Sequence, residues 1–165
     1  MDSVEFRFAE PGDEGKILFF IRSLAKYERM EKEVVATEPL LREWIFGKKK
    51  CEVIFAVVSG KEAGFALFFN NFSTFLGRAG LYLEDLFVLP EYRGRGIGTA
   101  LIRRLARIAI DRGLGRMDWT CLDWNEPSIR FYKSLGAAPL SDWTIYRLEG
   151  ETLARAAEAG GEKNE

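Results

Sequence analysis

The 165-residue sequence contains no histidine, so the side chain that most often acts as a general base near neutral pH is excluded. It has only two cysteines, Cys51 and Cys121, which is too few for a disulfide framework, and we expect a reducing, cytoplasmic setting. No apolar run approaches the roughly 18 residues of a membrane span, and the acidic stretch Met1–Glu10 does not resemble a secretory signal. We therefore expect neither a membrane protein nor a secreted, disulfide-stabilised one.

An excess of charge of either sign is also absent. The chain has 24 basic and 25 acidic residues, a net charge of −1, and no dominant basic run, which argues against nucleic acid as the main partner. Its length and its 47% hydrophobic content predict one globular domain over residues 1–153. Residues 154–165 consist mainly of alanine, glycine and charged side chains, and we expect a frayed helix that leads into a disordered tail.

Apolar periodicity predicts a mixed α/β (α+β) fold. The expected order is strand, helix, helix, three strands, helix, strand, helix, strand. The apolar runs Val53–Val58 and Ala63–Phe69 predict a hairpin, and Asn70–Gly80 is expected to form a loop. Met117–Leu122 and Trp143–Leu148 are predicted as the last two strands. Between the first strands we expect two helices, the second capped by Thr37 with Trp44 packed in the core.

Leu83–Thr99 predicts a strand, a sharp turn and the start of a helix. Pro90 ends the strand, because proline has no N–H for a sheet ladder. The glycines of Arg93–Gly98 let a ligand approach the backbone closely, and the open N–H groups of the first helical turn carry partial positive charge. Arg93 and Arg95 can add full positive charges, and the turn therefore predicts a site for phosphate or pyrophosphate.

Three glycine-rich phosphate motifs compete for this turn. A P-loop needs a lysine that is absent, and the spacing of the glycines does not fit the dinucleotide fingerprint. Arg93–Gly98 fits the pattern Arg/Gln-x-x-Gly-x-Gly/Ala, and Asn125–Ala137 fits N-x-x-(A/S)-x-x-(F/L)-Y-x-x-x-G-(F/A). With these motifs the chain, from about Phe6 to Leu148, resembles the GCN5-related N-acetyltransferases (GNAT). The segments Leu24–Glu28 and Tyr82–Asp85 resemble the diamine (spermidine/spermine) and thialysine branch.

The resemblance implies the GNAT fold, in which helices flank a mixed, mostly antiparallel sheet. Two parallel central strands, here Leu81–Leu89 and Met117–Leu122, separate as a V, and acetyl-CoA enters the gap as a co-substrate without a metal. The residues that the resemblance assigns to acetyl-CoA are Leu86, Phe87, Val88, Arg93, Gly94, Arg95, Gly96, Ile97, Gly98, Thr99, Asn125, Ser128, Lys133 and Leu135.

The acceptor amine is assigned to a second group of residues. Three acids after the first helix, Glu28, Glu31 and Glu33, form either a solvated charged surface or a site that attracts a cation. The resemblance implies that Tyr27 and Glu28 contact the amine, with Glu84 and Asp85 as further acidic contacts. It also implies a homodimer.

Acetyl transfer from a thioester to an amine needs a base and an acid. A primary ammonium has a pKa near 10 and must lose a proton, and the leaving thiolate benefits from gaining one. Glu84 is the candidate base, through a water chain, and strand alternation predicts that Asp85 points to the other face, where it could form a structural hydrogen bond. Tyr132 is the candidate acid. Cys121 as a covalent nucleophile is the less favoured alternative, because a cysteine within an apolar strand is usually inert.

Several functions stay open at this stage. The favoured one is an acetyl-CoA-dependent N-acetyltransferase that acts on a small amine of the polyamine type by direct transfer in a ternary complex. A thialysine-like or other amino-acid-like acceptor is the alternative, because Arg29 or Arg78 could pair with its carboxylate and because Ser73 and Phe75 replace an acid and a tryptophan of the diamine enzymes. A protein acetyltransferase and a non-catalytic acyl-CoA sensor are the remaining hypotheses.

Overall fold

The computed structural model describes residues 3–158, which form two compact units, residues 3–120 and residues 121–158. The first unit contains the whole sheet and the helices packed on it. The second contains two short helices joined by a segment without regular secondary structure. The expectation of a single domain over residues 1–153 stays a prediction.

The sheet has five strands in the order β1-β2-β3-β4-β5. Their bounds are Val4–Phe8, Glu52–Val58, Lys61–Ser73, Arg78–Val88 and Met117–Trp119. Neighbouring strands are antiparallel except β4 and β5, which are parallel as predicted and pair over only three residues. The pairing ends where Leu83 lies opposite Trp119, so the rest of β4 runs on without β5 beside it.

Helices of the first unit cover both faces of this sheet. Those of the first unit are α1 (Glu14–Tyr27), α2 (Glu38–Leu41, continued by a π-helix over Arg42–Gly47) and α3 (Ile97–Asp111), and those of the second are α4 (Glu126–Ser134) and α5 (Gly150–Glu158). The α1 side chain of Phe20 stacks on Phe65 of β3 at 5.0 Å between ring centroids, whereas Leu101 of α3 approaches the opposite face at Gly64. None of the helices within residues 3–158 is long and apolar enough to cross a membrane.

The predicted loop over Asn70–Gly80 is wrong, because most of it is paired strand. The ladder between β3 and β4 extends from the core to the pair Ser73 and Arg78, and only Thr74–Gly77 forms the turn. The Gly77 amide donates to the carbonyl of Ser73 at 2.8 Å. This part of β3 continues past its last pair with β2, Glu52 and Phe68. Its polar side chains are held by hydrogen bonds, since Asn70 donates to the Gly80 carbonyl at 3.1 Å and Asn71 to Asp118 at 3.1 Å.

The predicted strand over Trp143–Leu148 is also absent. Each of these residues is exposed and lies in no strand or helix. Similarly, β5 ends at Trp119 rather than at Leu122. The C-terminal helix α5 includes residues 154–158 of the predicted tail, and residues 159–165 lie outside the described residues.

The second predicted helix begins as expected and then changes form. The Thr37 hydroxyl accepts a hydrogen bond from the Leu40 amide at 3.4 Å, which confirms the cap. The helix continues as a π-helix, and its extra residue per turn rotates the following side chains. Trp44 is consequently 46% exposed, with Lys48 Nζ 3.8 Å from its ring centroid, and the prediction that Trp44 lies in the core is wrong.

Candidate active site

The turn between β4 and α3 has the backbone conformation that its glycines permit. A single 3₁₀ turn over Pro90–Tyr92 follows the strand, and Gly94 and Gly96 then adopt φ angles of 74° and 77°. No atom lies within 4 Å of the position that a Cβ would take at either glycine. The positive φ angles therefore account for glycine at these two positions, and the space beside both residues is open to a ligand.

Six consecutive amides at this turn lack a protein acceptor. Among residues 3–158 no oxygen accepts a hydrogen bond from the N–H groups of Gly94–Thr99, and the first bond of the helix joins the Ala100 amide to the Gly96 carbonyl at 2.9 Å. The N-terminus of α3 adds its dipole to this row of donors. The arrangement fits the anion site that the sequence predicts, and a pyrophosphate would satisfy donors that the chain leaves open.

Arg93 lies beside the turn but is held by β4 and α1. Its Nε donates a hydrogen bond of 2.9 Å to the carbonyl of Val88. Its guanidinium carbon lies 5.1 Å from the centroid of the Tyr27 ring and 5.0 Å from that of Phe87. Arg95 is exposed, with its guanidinium 5.6 Å from the Tyr92 ring. Arg93 therefore fixes the start of the turn in addition to any charge it offers an anion.

A β-bulge interrupts β4 at Glu84. Leu83 lies opposite Phe68 of β3 and Asp85 lies opposite the next residue, Leu67, so Glu84 is the extra residue. The prediction that Glu84 and Asp85 point to opposite faces relied on unbroken alternation, which the bulge removes. Asp85 shares the sheet face of Leu67, whose side chain belongs to the core cluster that packs against α1.

Three carboxyl groups interact at this bulge. Burial raises the pKa of Asp85 to about 7, with further contributions from the charges of Glu84 and Glu28. Burial also raises the pKa of Glu28, the residue at the C-terminal cap of α1. No salt bridge or side-chain hydrogen bond within residues 3–158 involves these three carboxylates, so the structural hydrogen bond predicted for Asp85 is absent. A cation that entered here would relieve their mutual repulsion.

The surroundings of Cys51 do not activate its thiol. Burial, Glu52 and Glu84 all raise the pKa of Cys51, which keeps this thiol protonated beside the acids. Cys121 belongs to the second unit, where its thiol lies 3.6 Å from the carbonyl of Leu122. Within the described part of the chain, no group of three or more Cys, Asp or Glu side chains is arranged to hold a metal ion.

The second unit contains the other motif on α4. Asn125 is buried and its Oδ1 accepts a hydrogen bond of 3.4 Å from the Ser128 amide, which caps the helix. Ser128 and Tyr132 are four residues apart and so lie on one face of α4. Tyr132 is half-buried, whereas Lys133 and Leu135 are exposed at the end of the helix.

The structure thus places the predicted site residues in two groups. The first unit joins the acids of the bulge, the aromatic pair under Arg93 and the glycine turn, and the second carries the polar face of α4. The sequence did not reveal the bulge, because nothing in the run from Leu83 to Asp85 shows that Glu84 is an extra residue without a partner on β3. It also did not reveal the packing of Arg93, since nothing local in the sequence shows that Tyr27 lies below it.

Comparison with known proteins identifies the family. A profile of the acetyltransferase (GNAT) family matches residues 19–137. The chain belongs to this GNAT acetyltransferase family. The thialysine N-epsilon-acetyltransferase of Sus scrofa is 38% identical to this GNAT chain over 169 residues, which cover 95% of the chain and 99% of that protein. The spermidine/spermine N(1)-acetyltransferase-like protein 1 of Homo sapiens is 34% identical over 165 residues, which cover 93% of the chain and 24% of that protein.

A solved structure agrees with the assignment. An integron cassette protein from the mobile metagenome of V. cholerae is 33% identical, has a TM-score of 0.78, and is matched over 94% of this chain and 98% of that one. The predicted GNAT fold, with its mixed sheet and parallel β4–β5 pair, is confirmed. As a GNAT acetyltransferase the chain is an acyltransferase, and the prediction of an enzyme is confirmed.

Proposed function

We propose that this GNAT enzyme transfers the acetyl group of acetyl-CoA to a primary amine of a small cationic acceptor. The observation that carries the proposal is the half-buried Asp85, which lies near Glu84 and Glu28 and has no basic partner within residues 3–158. An ammonium group is the natural complement of such a cluster. The names of the relatives in pig and human refer to thialysine and to spermidine and spermine, which are all amines.

Acetyl-CoA fits the open donors of the glycine turn. The amides of Gly94–Thr99 would bind its pyrophosphate, with Arg95 as an exposed cation beside them. The backbone of Leu86–Val88 lies on the part of β4 beyond its pairing with β5, and we propose that it binds the pantetheine amides as an added strand would. The resemblance assigns further contacts to Asn125, Ser128, Lys133 and Leu135.

Two side chains, Glu84 and Tyr132, are proposed to move protons. Acetyl-CoA supplies the activated acetyl thioester. Glu84, on the exposed bulge, accepts the proton of the acceptor ammonium through water, while Asp85, Glu28 and the Tyr27 ring bind the cationic part of the acceptor. Tyr132 donates its phenolic proton to the departing thiolate. No histidine is available, and burial raises the pKa of the Cys51 thiol. We therefore propose direct transfer in a ternary complex, with Cys121 as a covalent nucleophile the less favoured alternative.

An amino-acid-like acceptor is the specific alternative to a polyamine. It is favoured by the thialysine enzymes among the relatives, of which the pig protein is 38% identical. Such an acceptor carries a carboxylate, and Arg29, which directly follows Glu28, is a candidate partner for it. Arg29 has a φ of 62°, an uncommon backbone conformation for a residue other than glycine. We also propose a cytoplasmic homodimer.

Thiol release from acetyl-CoA tests this proposal. The purified chain is assayed with spermidine, spermine, putrescine, thialysine, lysine and a lysine-containing peptide. Turnover with a small cationic amine supports the proposal and selects between the polyamine and amino-acid-like acceptors. Tight acetyl-CoA binding without turnover on any of these amines would favour the acyl-CoA sensor, and turnover on the peptide alone would favour a protein acetyltransferase.

A further inference from the structure

Arg93 connects the glycine turn to the aromatic ring of Tyr27. Its guanidinium carbon lies 5.1 Å from the centroid of the Tyr27 ring and 5.0 Å from that of Phe87. The two rings are themselves neighbours, with 6.2 Å between their centroids. Distances of this size are those of a cation attracted by the faces of aromatic rings. The first residue of the predicted pyrophosphate motif thus lies against a residue that the resemblance assigns to the acceptor amine.

No acid within residues 3–158 neutralises the charge of Arg93. None of the salt bridges in this part of the chain includes it, and its side-chain hydrogen bond runs from Nε to the carbonyl of Val88. A carbonyl acceptor leaves the net charge in place, so a full positive charge lies beside Tyr27. The terminal nitrogens of the guanidinium remain donors for an anion.

Two ligands of opposite charge are proposed to bind on either side of this guanidinium. An acceptor ammonium at Tyr27 is attracted by the same ring that holds Arg93, and the two positive charges repel each other. A pyrophosphate at the amides of Gly94–Thr99 lies next to Arg93 along the chain and would neutralise it. Binding of the anion should therefore remove a repulsion that the ammonium meets in the free enzyme.

We infer that Arg93 couples the two binding sites, so that acetyl-CoA strengthens the binding of the cationic acceptor by neutralising the guanidinium at Tyr27. This inference rests on the proposed function, which supplies both ligands. Linkage requires the effect to be reciprocal, so the acceptor strengthens acetyl-CoA binding by the same factor. The consequence is an amine site that fills preferentially when the acetyl donor is already bound.

The charge of Arg93 gives this coupling a direction that packing alone does not. If Arg93 only held the turn against β4, its loss would weaken the binding of both ligands or leave the amine unaffected. If its charge opposes the ammonium, removal of the charge should tighten amine binding to the enzyme without acetyl-CoA. Arg93 is exposed, so added salt should also screen the repulsion and reduce the coupling.

Calorimetric titration with CoA tests the coupling without turnover, because CoA has the same pyrophosphate as acetyl-CoA and no acetyl group to transfer. The full chain is titrated with CoA and with thialysine or spermidine as the amine, each ligand alone and each with the other at saturation. We expect each ligand to bind at least ~5-fold more tightly in the presence of the other. This coupling factor should decrease as salt is raised from about 0.02 M to about 0.3 M.

Variants of Arg93 separate its charge from its packing. Arg93→Met should bind the amine alone at least ~3-fold more tightly than the wild type does, with a coupling factor near ~1, although it binds CoA more weakly. Arg93→Lys keeps the charge and should retain the wild-type amine affinity and the coupling. Arg95→Met is the matched control, because the Arg95 guanidinium lies 5.6 Å from the Tyr92 ring. It should weaken CoA binding and leave the coupling factor unchanged.

Three results would overturn the inference. They are independent binding of CoA and amine by the wild type, amine binding by Arg93→Met that is no tighter than that of the wild type, and equal coupling factors in these two proteins. The last result would show that the pyrophosphate attracts the ammonium without Arg93. If Arg93→Met does not fold, Arg93→Gln is the neutral variant that decides.

Failure of the proposed function gives a different result. Tight CoA binding with neither binding nor acetylation of thialysine or spermidine would reject the proposed acceptor class, and the inference with it. Acetylation of an amine whose binding is independent of CoA would leave the proposed function standing and reject the coupling alone.

Discussion

Arg93 donates a hydrogen bond from Nε to the carbonyl of Val88 at 2.9 Å, which links the glycine turn to the last residue of β4. The same guanidinium packs on Tyr27 and Phe87. The first residue of the predicted pyrophosphate motif thus also positions the strand on which acetyl-CoA is proposed to lie. The Arg93 side chain therefore couples the position of the turn to that of β4.

Arg93→Met should weaken acetyl-CoA binding and lower thermal stability together. The variant keeps an apolar contact with the rings but loses a hydrogen bond from a charged group, so we expect about tenfold weaker binding or more. Arg95→Met is the control, because Arg95 forms no hydrogen bond within the described residues and should affect binding alone. Calorimetric titration measures acetyl-CoA binding by each variant, and a melting curve measures its thermal stability. Equal melting temperatures for the two variants would contradict the positioning role of Arg93.

Gly96→Ala should abolish tight acetyl-CoA binding, because an alanine at a φ of 77° shifts the turn whose amides bind the pyrophosphate. Gly113→Ala is a matched control at the other end of α3, where φ is 67° and no atom lies within 4 Å of the added Cβ. Each alanine should destabilise the fold by about 1–2 kcal/mol. Only Gly96→Ala should lose binding in a titration. Loss of binding in both variants would show that general destabilisation, and not the turn, is responsible.

Asp85→Asn should stabilise the protein at neutral and alkaline pH. The folded chain binds the Asp85 proton more tightly than the unfolded chain, since its pKa is about 7 against an ordinary value of 3.8. The free energy of unfolding of the wild type should therefore fall as pH rises from about 4 to about 7. The free energy of unfolding of the variant should not show this decrease, and above pH 7 it should exceed that of the wild type by at most about 4 kcal/mol.

Urea unfolding of the wild type and of Asp85→Asn between pH 4 and pH 8 tests the predicted direction of the change in unfolding free energy with pH. The two curves should coincide near pH 4 and separate as pH rises. A constant difference across the range would mean that Asp85 ionises normally in the folded state.

Glu84→Gln should lower kcat far more than it weakens acetyl-CoA binding. Loss of a general base typically costs about 10²–10⁴ in rate. The variant should also flatten the alkaline rise in kcat/KM. Glu5→Gln removes the same charge at an exposed position of β1 and should change neither kcat nor the pH dependence of kcat/KM. A pH–rate profile for both variants checks this. An unchanged profile in Glu84→Gln would transfer the role of base to another group, with Asp85 as the first to test.

The sequence predicted those parts of the molecule that depend on local chemistry. The glycine turn, the Thr37 cap and the parallel pair of strands all follow from spacing and residue type or from the family motifs. Each is set by interactions within a few residues or by a pattern with a strict period.

The parts that the sequence did not predict depend on distant partners. The bulge at Glu84 depends on the register between β3 and β4, which the sequence of β4 alone does not determine. The exposure of Trp44 follows from a π-helix, which no residue type in Arg42–Gly47 indicates. Trp143–Leu148 has the composition of a strand, yet a strand needs a neighbour, which local sequence cannot supply.

The central claim is acetyl transfer to a cationic amine with Tyr132 as the acid, and product analysis with Tyr132→Phe tests it most directly. Thialysine and spermidine are incubated with acetyl-CoA and either enzyme, and the products are identified by mass spectrometry. We expect one acetyl group on a primary amine with the wild type, and a rate at least ~100-fold lower with Tyr132→Phe at unchanged acetyl-CoA affinity. Equal rates for the two enzymes, or no acetylated amine despite tight acetyl-CoA binding, would contradict the account.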